Sequence, residues 1–354
     1  MDYIKIKGYK SIQDIHLQLQ PINILIGANG SGKSNFISFF EFLNAIQDKR
    51  LKEYVALRGG ADRLLHQGSQ HTQEISFDTG FDNNTNGYRV NLKLGDEGFV
   101  FTEESLTYQG NDGKDISNFG TEANIKSTDN YRAKYINKYL NSYRKYHFHD
   151  TSKDSPFTKM SHIVNDQYYL YEDGSNISAF LYNIQQQHPV IYNRIIQTIQ
   201  SIAPYFSDFY FHPNEEGFIR LQWKSKYGST VYGATDLSDG TIRFMALTVL
   251  FMQPNLPTSI IIDEPELGLH PFAISKLSGM IKSVAAKKKQ VIVATQSADL
   301  VNHFAPKDII TVDQIGGASQ FNRLNEENLK EWLDTYSIGD LWQKNILTGG
   351  QPNK

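Results

Sequence analysis

Three short stretches of this 354-residue chain carry side chains of the right type and spacing for phosphate chemistry. The first is Gly27-Ala28-Asn29-Gly30-Ser31-Gly32-Lys33-Ser34, a glycine-rich run closed by a lysine and a hydroxyl. Glycines let the backbone wrap a polyphosphate, so that successive N–H groups point at anionic oxygens. Lys33 would reach the β- and γ-phosphates and the Ser34 hydroxyl would hold Mg²⁺, with Asn29, Gly30, Ser31, Gly32 and Asn35 lining the nucleotide. The second stretch, Ile260-Ile261-Ile262-Asp263-Glu264, is an apolar strand ending in two carboxylates. Asp263 would join the Mg²⁺ shell, and Glu264 would polarise a water for in-line attack on the γ-phosphate. The third, Leu237-Ser238-Asp239-Gly240-Thr241, opens a helix and offers the Ser238 hydroxyl and the bare N–H groups around Gly240 to a phosphate. Taken singly, each has a plainer alternative: a glycine turn with a chance lysine, an acidic turn, an ordinary N-cap. Found together in one chain, they favour nucleotide.

The elements that must hold these residues are also legible. The apolar run Ile22 to Ile26 precedes the lysine loop, and Asn35 to Ile46 follows it with Phe36, Phe39, Phe40, Leu43 and Ile46 on one helical face, widened by Ile37 and Phe42. Tyr3 to Ile6 and Ile15 to Leu19 predict a hairpin leading into that strand. Glycines punctuate the link from Leu57 to Gly68; beyond it Glu74–Phe77, Tyr88–Leu94 and Phe99–Phe101 alternate like antiparallel strands, two of them joined by a turn at Asn83–Gly87. From Thr121 to Phe211 the pattern turns helical. There Tyr131, Tyr135, Tyr139 and Tyr143 recur every fourth residue, among Arg132, Lys134, Lys138, Arg144 and Lys145. Such a helix either packs its tyrosines on the core or presents them, with the cations, to nucleic acid. A second helix is predicted at Pro189–Ile202. After Leu237 helices and strands alternate, with Ser259–Ile262 and Val291–Ala294 reading as buried central strands. These shifts predict an N-terminal lobe (1–120), a helical insertion (121–211) and a C-terminal lobe (212–354), with a loose polar tail at Gly349–Lys354.

Composition narrows the classes. A net charge of −3 advertises no global basic field, and the absence of cysteine removes disulfide scaffolds and Cys-based zinc sites. No apolar run approaches the roughly 20 residues that span a bilayer, and the N-terminus lacks the apolar core of a signal peptide, so a soluble, cytoplasmic protein is expected.

Phosphate loop, Leu-Ser-x-Gly signature, Asp-Glu strand and a later strand ending Ala294-Thr295-Gln296-Ser297 stand in the order of ABC-type ATPases, which the chain resembles. Asp263-Glu264-Pro265-Glu266-Leu267-Gly268-Leu269-His270-Pro271 and Leu237 to Arg243 are similar to the SMC/RecF/OLD-like branch. So are Leu57 to Gly68, Asp173–Asn176 and Ile338–Trp342, which look like the stand-alone members without a Toprim domain. The resemblance implies an α/β phosphate-loop head with a mixed sheet, an N-terminal antiparallel part and a helical insertion. It implies ATP and Mg²⁺ sandwiched between two heads, Ser238 of one capping the γ-phosphate held by Lys33 and Ser34 of the other. It also implies a glutamine on the Mg²⁺ shell, Gln67 or else Gln70, and puts Gln296 where the family usually has a switch histidine. Glutamine carries no proton through the step, so slow or activator-dependent turnover is expected. His270 falls in the dimer-contact loop. The expected function is an ATPase, dimeric or larger, that gates a DNA-related or anti-phage effector of nuclease or toxin type, with DNA or RNA as a further partner and no membrane. The alternatives are the energising subunit of a membrane transporter and a scaffold that binds ATP with negligible turnover.

Overall fold

The computed structural model describes residues 1–347, 349 and 350; of the tail expected to be loose, residues 351–354 lie outside the described residues. The chain divides into two compact units, Met1–Lys145 with Thr258–Ile261 and Ile292–Lys354, and Tyr146–Pro257 with Ile262–Val291.

In the first unit the alternation read near the N-terminus produces β1 (Tyr3–Tyr9) and β2 (Ile12–Gln18), antiparallel with Tyr9 opposite Ile12. The apolar run becomes β3 (Ile22–Ile26), buried throughout, and the loop after it opens α1 (Lys33–Gln47). That helix starts two residues earlier than its apolar pattern suggests, because the phosphate loop itself supplies the first turn. A short α2 (Leu51–Leu57) precedes the strands β4 (Glu74–Phe81), β5 (Asn86–Gly95), β6 (Gly98–Tyr108) and β7 (Asn111–Asp115). Asp82, Asn83 and Asn84 take φ of 59, 54 and 60° in the turn between β4 and β5, a backbone that Asp and Asn tolerate best after glycine. Strand order is β2-β1-β4-β5-β6-β7. Next come α3 (Tyr131–Leu140) and β8 (Tyr143–Tyr146).

The tyrosine stripe is a correction. Its helix ends at Leu140, and Tyr143 belongs to β8, where it is fully buried against Phe40. On α3 the buried positions are Ala133, Ile136 and Leu140, while Tyr131 and Tyr135 are 64% and 59% exposed. The three-and-four spacing of small apolar residues decides which face packs, and the tyrosines lie beside it. Strands also interrupt the stretch expected to be helical.

The second unit holds β9 (Ser161–His162), α4 (Ile177–Gln187), α5 (Pro189–Ile202, as predicted), β10 (Phe206–Phe209), β11 (Phe218–Ile219), β12 (Gln222–Ser225) and β13 (Val231–Gly233). The antiparallel set β10-β12-β13 stacks Trp223 on Tyr232, centroids 4.7 Å apart. Then follow the signature helix α6 (Asp239–Met252), β14 (Ser259–Asp263), α7 (Pro271–Ala286) and β15 (Gln290–Thr295). The chain closes with α8 (Ala298–Val301), β16 (Ile309–Ile315), β17 (Ala318–Arg323), α9 (Glu326–Leu333) and α10 (Ile338–Gln343).

A second six-stranded sheet runs β17-β16-β3-β15-β14-β8, with β16 parallel to β3 and antiparallel to β17, so it is mixed. In the first unit one apolar core takes in Ile6, Phe77 and Val90 of the first sheet, Leu25, Ile261 and Ile310 of the second, and Phe36, Phe39, Phe40 and Phe42 of α1. Each buried phenylalanine contributes about 1.5–3 kcal/mol, and edge-on pairs such as Tyr9–Phe39 and Phe39–Phe77, 5.3 and 5.4 Å apart, fix the helix in rotation. This core positions the phosphate loop. Among the described residues no helix is long and apolar enough to cross a membrane.

Candidate nucleotide site

The loop from Gly27 to Ser34 leaves β3 and is braced from behind by two elements distant in sequence. Ser319 of β17 has its hydroxyl 2.7 Å from Ser31 O and 2.7 Å from Ser11 Oγ, and Asn35 Nδ2 donates to Ser11 Oγ at 2.8 Å. The Ser319 N–H also donates to Ser11 O at 2.7 Å. Sequence reasoning missed Ser319, because a serine in an ordinary strand gives no signal until the fold brings it under the loop.

Two glycines of the loop are obligatory for packing reasons. A Cβ on Gly27 would stand 2.2 Å from Val312 O, and one on Gly32, at φ 111°, would stand 2.0 Å from Ser319 Oγ. Gly30 faces open space. Gly32 is the N-cap of α1 and supplies no side-chain cap, so the first-turn N–H groups remain available to an anion. Lys33 is buried, and its ammonium donates to Gly27 O and Ala28 O at 2.6 and 2.9 Å, across the mouth of the loop. The Ser31 hydroxyl is buried with no hydrogen-bond partner. An orphaned hydroxyl, uncapped amides and a lysine on loop carbonyls make a donor set that fits a polyphosphate; the exposed Ser34 hydroxyl suits its Mg²⁺.

Beside the loop, Lys10, Ser11, Asn35, Arg58, Asp62 and Gln67 line an open cleft of about 610 Å³. Gln67 is exposed at φ 57°, its amide close to Gly317. Gln70 is exposed outside that lining. Lys10 donates to Ser38 Oγ at 2.7 Å; burial, then the neighbouring Arg58 charge, bring its ammonium down to about 8. Gln296 follows β15 and is exposed.

In the second unit Ser238 caps α6, accepting from the Thr241 N–H at 3.3 Å with its oxygen 2.8 Å from Thr241 Oγ1. The plain N-cap reading is therefore observed, and the hydroxyl still lies on the surface. Gly240 is required for another reason as well, since a Cβ there would stand 2.4 Å from Gly268 O. The start of α6 is thereby packed on the loop that follows the paired acids. Asp263 ends β14 half-buried, and Glu264 holds φ 43°, the left-handed region that costs a non-glycine residue about 1 kcal/mol or more. A strained residue bearing a carboxylate aims that carboxylate somewhere regular backbone would not. His270 is the N-cap of α7, its Nδ1 accepting from the Phe272 N–H at 3.2 Å, a structural role.

A phosphate loop on a mixed sheet, a serine-led signature helix and an acid pair closing a strand are the elements of the ABC-type ATPase fold. The chain belongs to the family described as "AAA domain, putative AbiEii toxin, Type IV TA system", whose model matches residues 22–302. It is similar in fold to an Smc head bound to the C-winged helix domain of ScpA, with a TM-score of 0.61 at 17% identity over 93% of this chain and 99% of that one. It is likewise similar to the Pyrococcus furiosus Smc head with an extended coiled coil bound to the C-terminal domain of ScpA, with a TM-score of 0.58 at 15% identity over 94% and 98%. A curated relative, Urease accessory protein 2 of Cryptococcus neoformans var. grubii, is 36% identical over 77 residues, 21% of this chain and 6% of that protein's length. Membership of this AAA-domain family supports an ATP-binding ATPase that uses ATP and, as a rule, Mg²⁺, and the fold is that of Smc heads.

Proposed function

We propose that this head hydrolyses ATP as a pair, two copies meeting head to tail so that Ser238 of each caps a triphosphate held by Lys33 and Ser34 of the other. Asp263 serves the Mg²⁺ shell with Ser34, Gln67 contributes its amide there, and Glu264 polarises the attacking water. The observation that carries the reading is the start of α6: an exposed serine and a half-buried glycine at the N-terminus of a 14-residue helix, packed on the loop after Glu264. ATP favours the pair by its higher affinity for it, and hydrolysis removes the bias, which gates an effector protein from another chain in DNA-related or anti-phage work. Gln296 in the switch position makes turnover slow or dependent on an activator.

Glu264→Gln protein with ATP should sediment as a dimer or larger assembly, and as a monomer without nucleotide or when Ser238→Arg is added. Monomers that bind ATP at Lys33 under every condition would overturn the reading.

Nucleic acid is a second partner, favoured by one observation. Tyr131 and Tyr135 are exposed on α3, with the Arg132 guanidinium 4.1 Å from the Tyr108 ring centroid and 5.8 Å from that of Tyr131. Bases stack on such a surface for about 1–3 kcal/mol each. Tyr131→Ala with Tyr135→Ala should weaken single-strand binding about tenfold or more in a filter assay, and Lys138→Ala should flatten its salt dependence. Unchanged affinity and salt dependence in both variants dismisses α3 as the contact.

A further inference from the structure

The stretch Ile338-Gly339-Asp340-Leu341-Trp342 stands out in the sequence, yet it belongs neither to the phosphate loop, nor to the signature, nor to the acid pair. It folds as α10, opened by a capping box: the Asp340 N–H donates to Ser337 Oγ at 3.2 Å and the Ser337 N–H to the Asp340 carboxylate at 3.0 Å. Its first turn rests on α8, the four-residue helix that follows Gln296 and Ser297. The Gly339 N–H donates to Asn302 Oδ1 at 2.7 Å, and a Cβ on Gly339 would stand 2.8 Å from Ala298 O. Only glycine lets the two backbones lie this close. Leu341, in the next turn, is fully buried.

The chain then returns to the base of the phosphate loop. The Trp342 indole N–H donates to Gly349 O at 2.6 Å, and the Gly349 N–H donates to Asp313 Oδ1 at 2.6 Å. Gly349, expected to belong to a loose tail, is instead buried there at φ 92°. A Cβ on it would stand 3.1 Å from Thr311 Cβ, 3.3 Å from Ile26 O and 3.4 Å from Val312 N. Thr311 and Ile26 are partners in the parallel register of β16 and β3, so Gly349 is seated on the ends of both strands. The residue after Ile26 is Gly27, whose carbonyl takes the Lys33 ammonium and whose own Cβ would strike Val312 O. Val312 meets both glycines, with its nitrogen near Gly349 and its carbonyl against Gly27.

We propose that α10 and Gly349 form a strap that positions the phosphate loop, anchored on α8 at one end and fastened by Trp342 and Asp313 at the other. Neither fastening touches nucleotide. Both are positioning residues, acting through Ile26 and Val312 on Gly27 and thereby on Lys33. A shift of about 1 Å in a group that grips a phosphate is enough to weaken it severely. The inference rests on nucleotide binding at Lys33 and is independent of the pairing of heads.

The test measures, in the full chain, equilibrium affinity for a fluorescent ATP analogue and, separately, thermal melting without nucleotide. Asp313→Leu keeps the shape of the side chain but accepts no hydrogen bond, and should weaken ATP about tenfold while melting moves by no more than a few degrees. Asp313→Asn keeps an accepting oxygen and should restore the affinity. Trp342→Phe keeps a ring, loses the N–H and should weaken ATP in the same direction. The Asp313→Leu/Trp342→Phe double variant should lose less than the sum of the two, because either break frees the same glycine. Wild-type affinity in both single variants, a loss that Asp313→Asn fails to recover, or additive losses in the double variant overturns the strap and leaves nucleotide binding standing. Should Asp313→Leu fail to fold, Trp342→Phe decides alone: wild-type affinity in it overturns the strap. A wild type that binds ATP no better than Lys33→Ala overturns both.

Discussion

Glu264→Gln should lower ATP turnover by about 10²–10⁴-fold while leaving ATP affinity within a few fold of wild type. Glutamine has the shape of glutamate and the same intolerance of the left-handed backbone, so φ 43° is no harder to hold in the variant than in the parent. What it lacks is an oxygen that can take a proton from the attacking water. The start of α6, packed by Gly240 against Gly268 O, is untouched by the exchange. The two quantities must be read together, by steady-state phosphate release and by equilibrium nucleotide binding. Falling turnover with retained binding is the signature of a base. Turnover unchanged by the substitution would remove Glu264 from the chemistry and favour the scaffold reading.

The second large effect belongs to Gly32→Ala. Glycine occupies φ 111° at little cost, whereas an L side chain pays about 1–3 kcal/mol for that region before any contact is considered. The contacts are worse: the new methyl would stand 2.0 Å from Ser319 Oγ and 2.8 Å from Ser11 Oγ. Either the serine network moves or the loop does, and Ser31 O, which the network holds, moves with it. The expected outcome is a loss of ATP affinity of about a hundredfold or more and a destabilisation of about 2–4 kcal/mol, measured by calorimetric titration and by denaturant unfolding. Gly30→Ala is the internal control. It shares a positive φ, 80°, but its methyl would meet nothing, so it should pay the backbone strain alone. Wild-type binding by Gly32→Ala would mean that Ser11 and Ser319 do not set the geometry of the loop.

The sequence by itself determined the parts that depend on short-range physics. A loop built of glycines with a lysine and a serine, a strand that ends in two acids and a serine-capped helix are each defined within ten residues, and each was found where its pattern lay. The burial of α1 was legible too, because its phenylalanines recur at helical spacing. Tertiary structure decided what spacing cannot encode. The tyrosine period ran past the end of its helix, since Tyr131 and Tyr143 are equivalent in the pattern but one is exposed on α3 and the other is core in β8. Ser319 supports a loop almost three hundred residues away, and Arg243 holds the chain after β8 by the backbone carbonyls of Phe148 and His149 rather than by a side chain. A hydrogen bond to a carbonyl leaves no trace in residue type at the accepting position, because every residue has a carbonyl. Local chemistry is written in the chain; which distant backbone it is fastened to is settled only when the core closes.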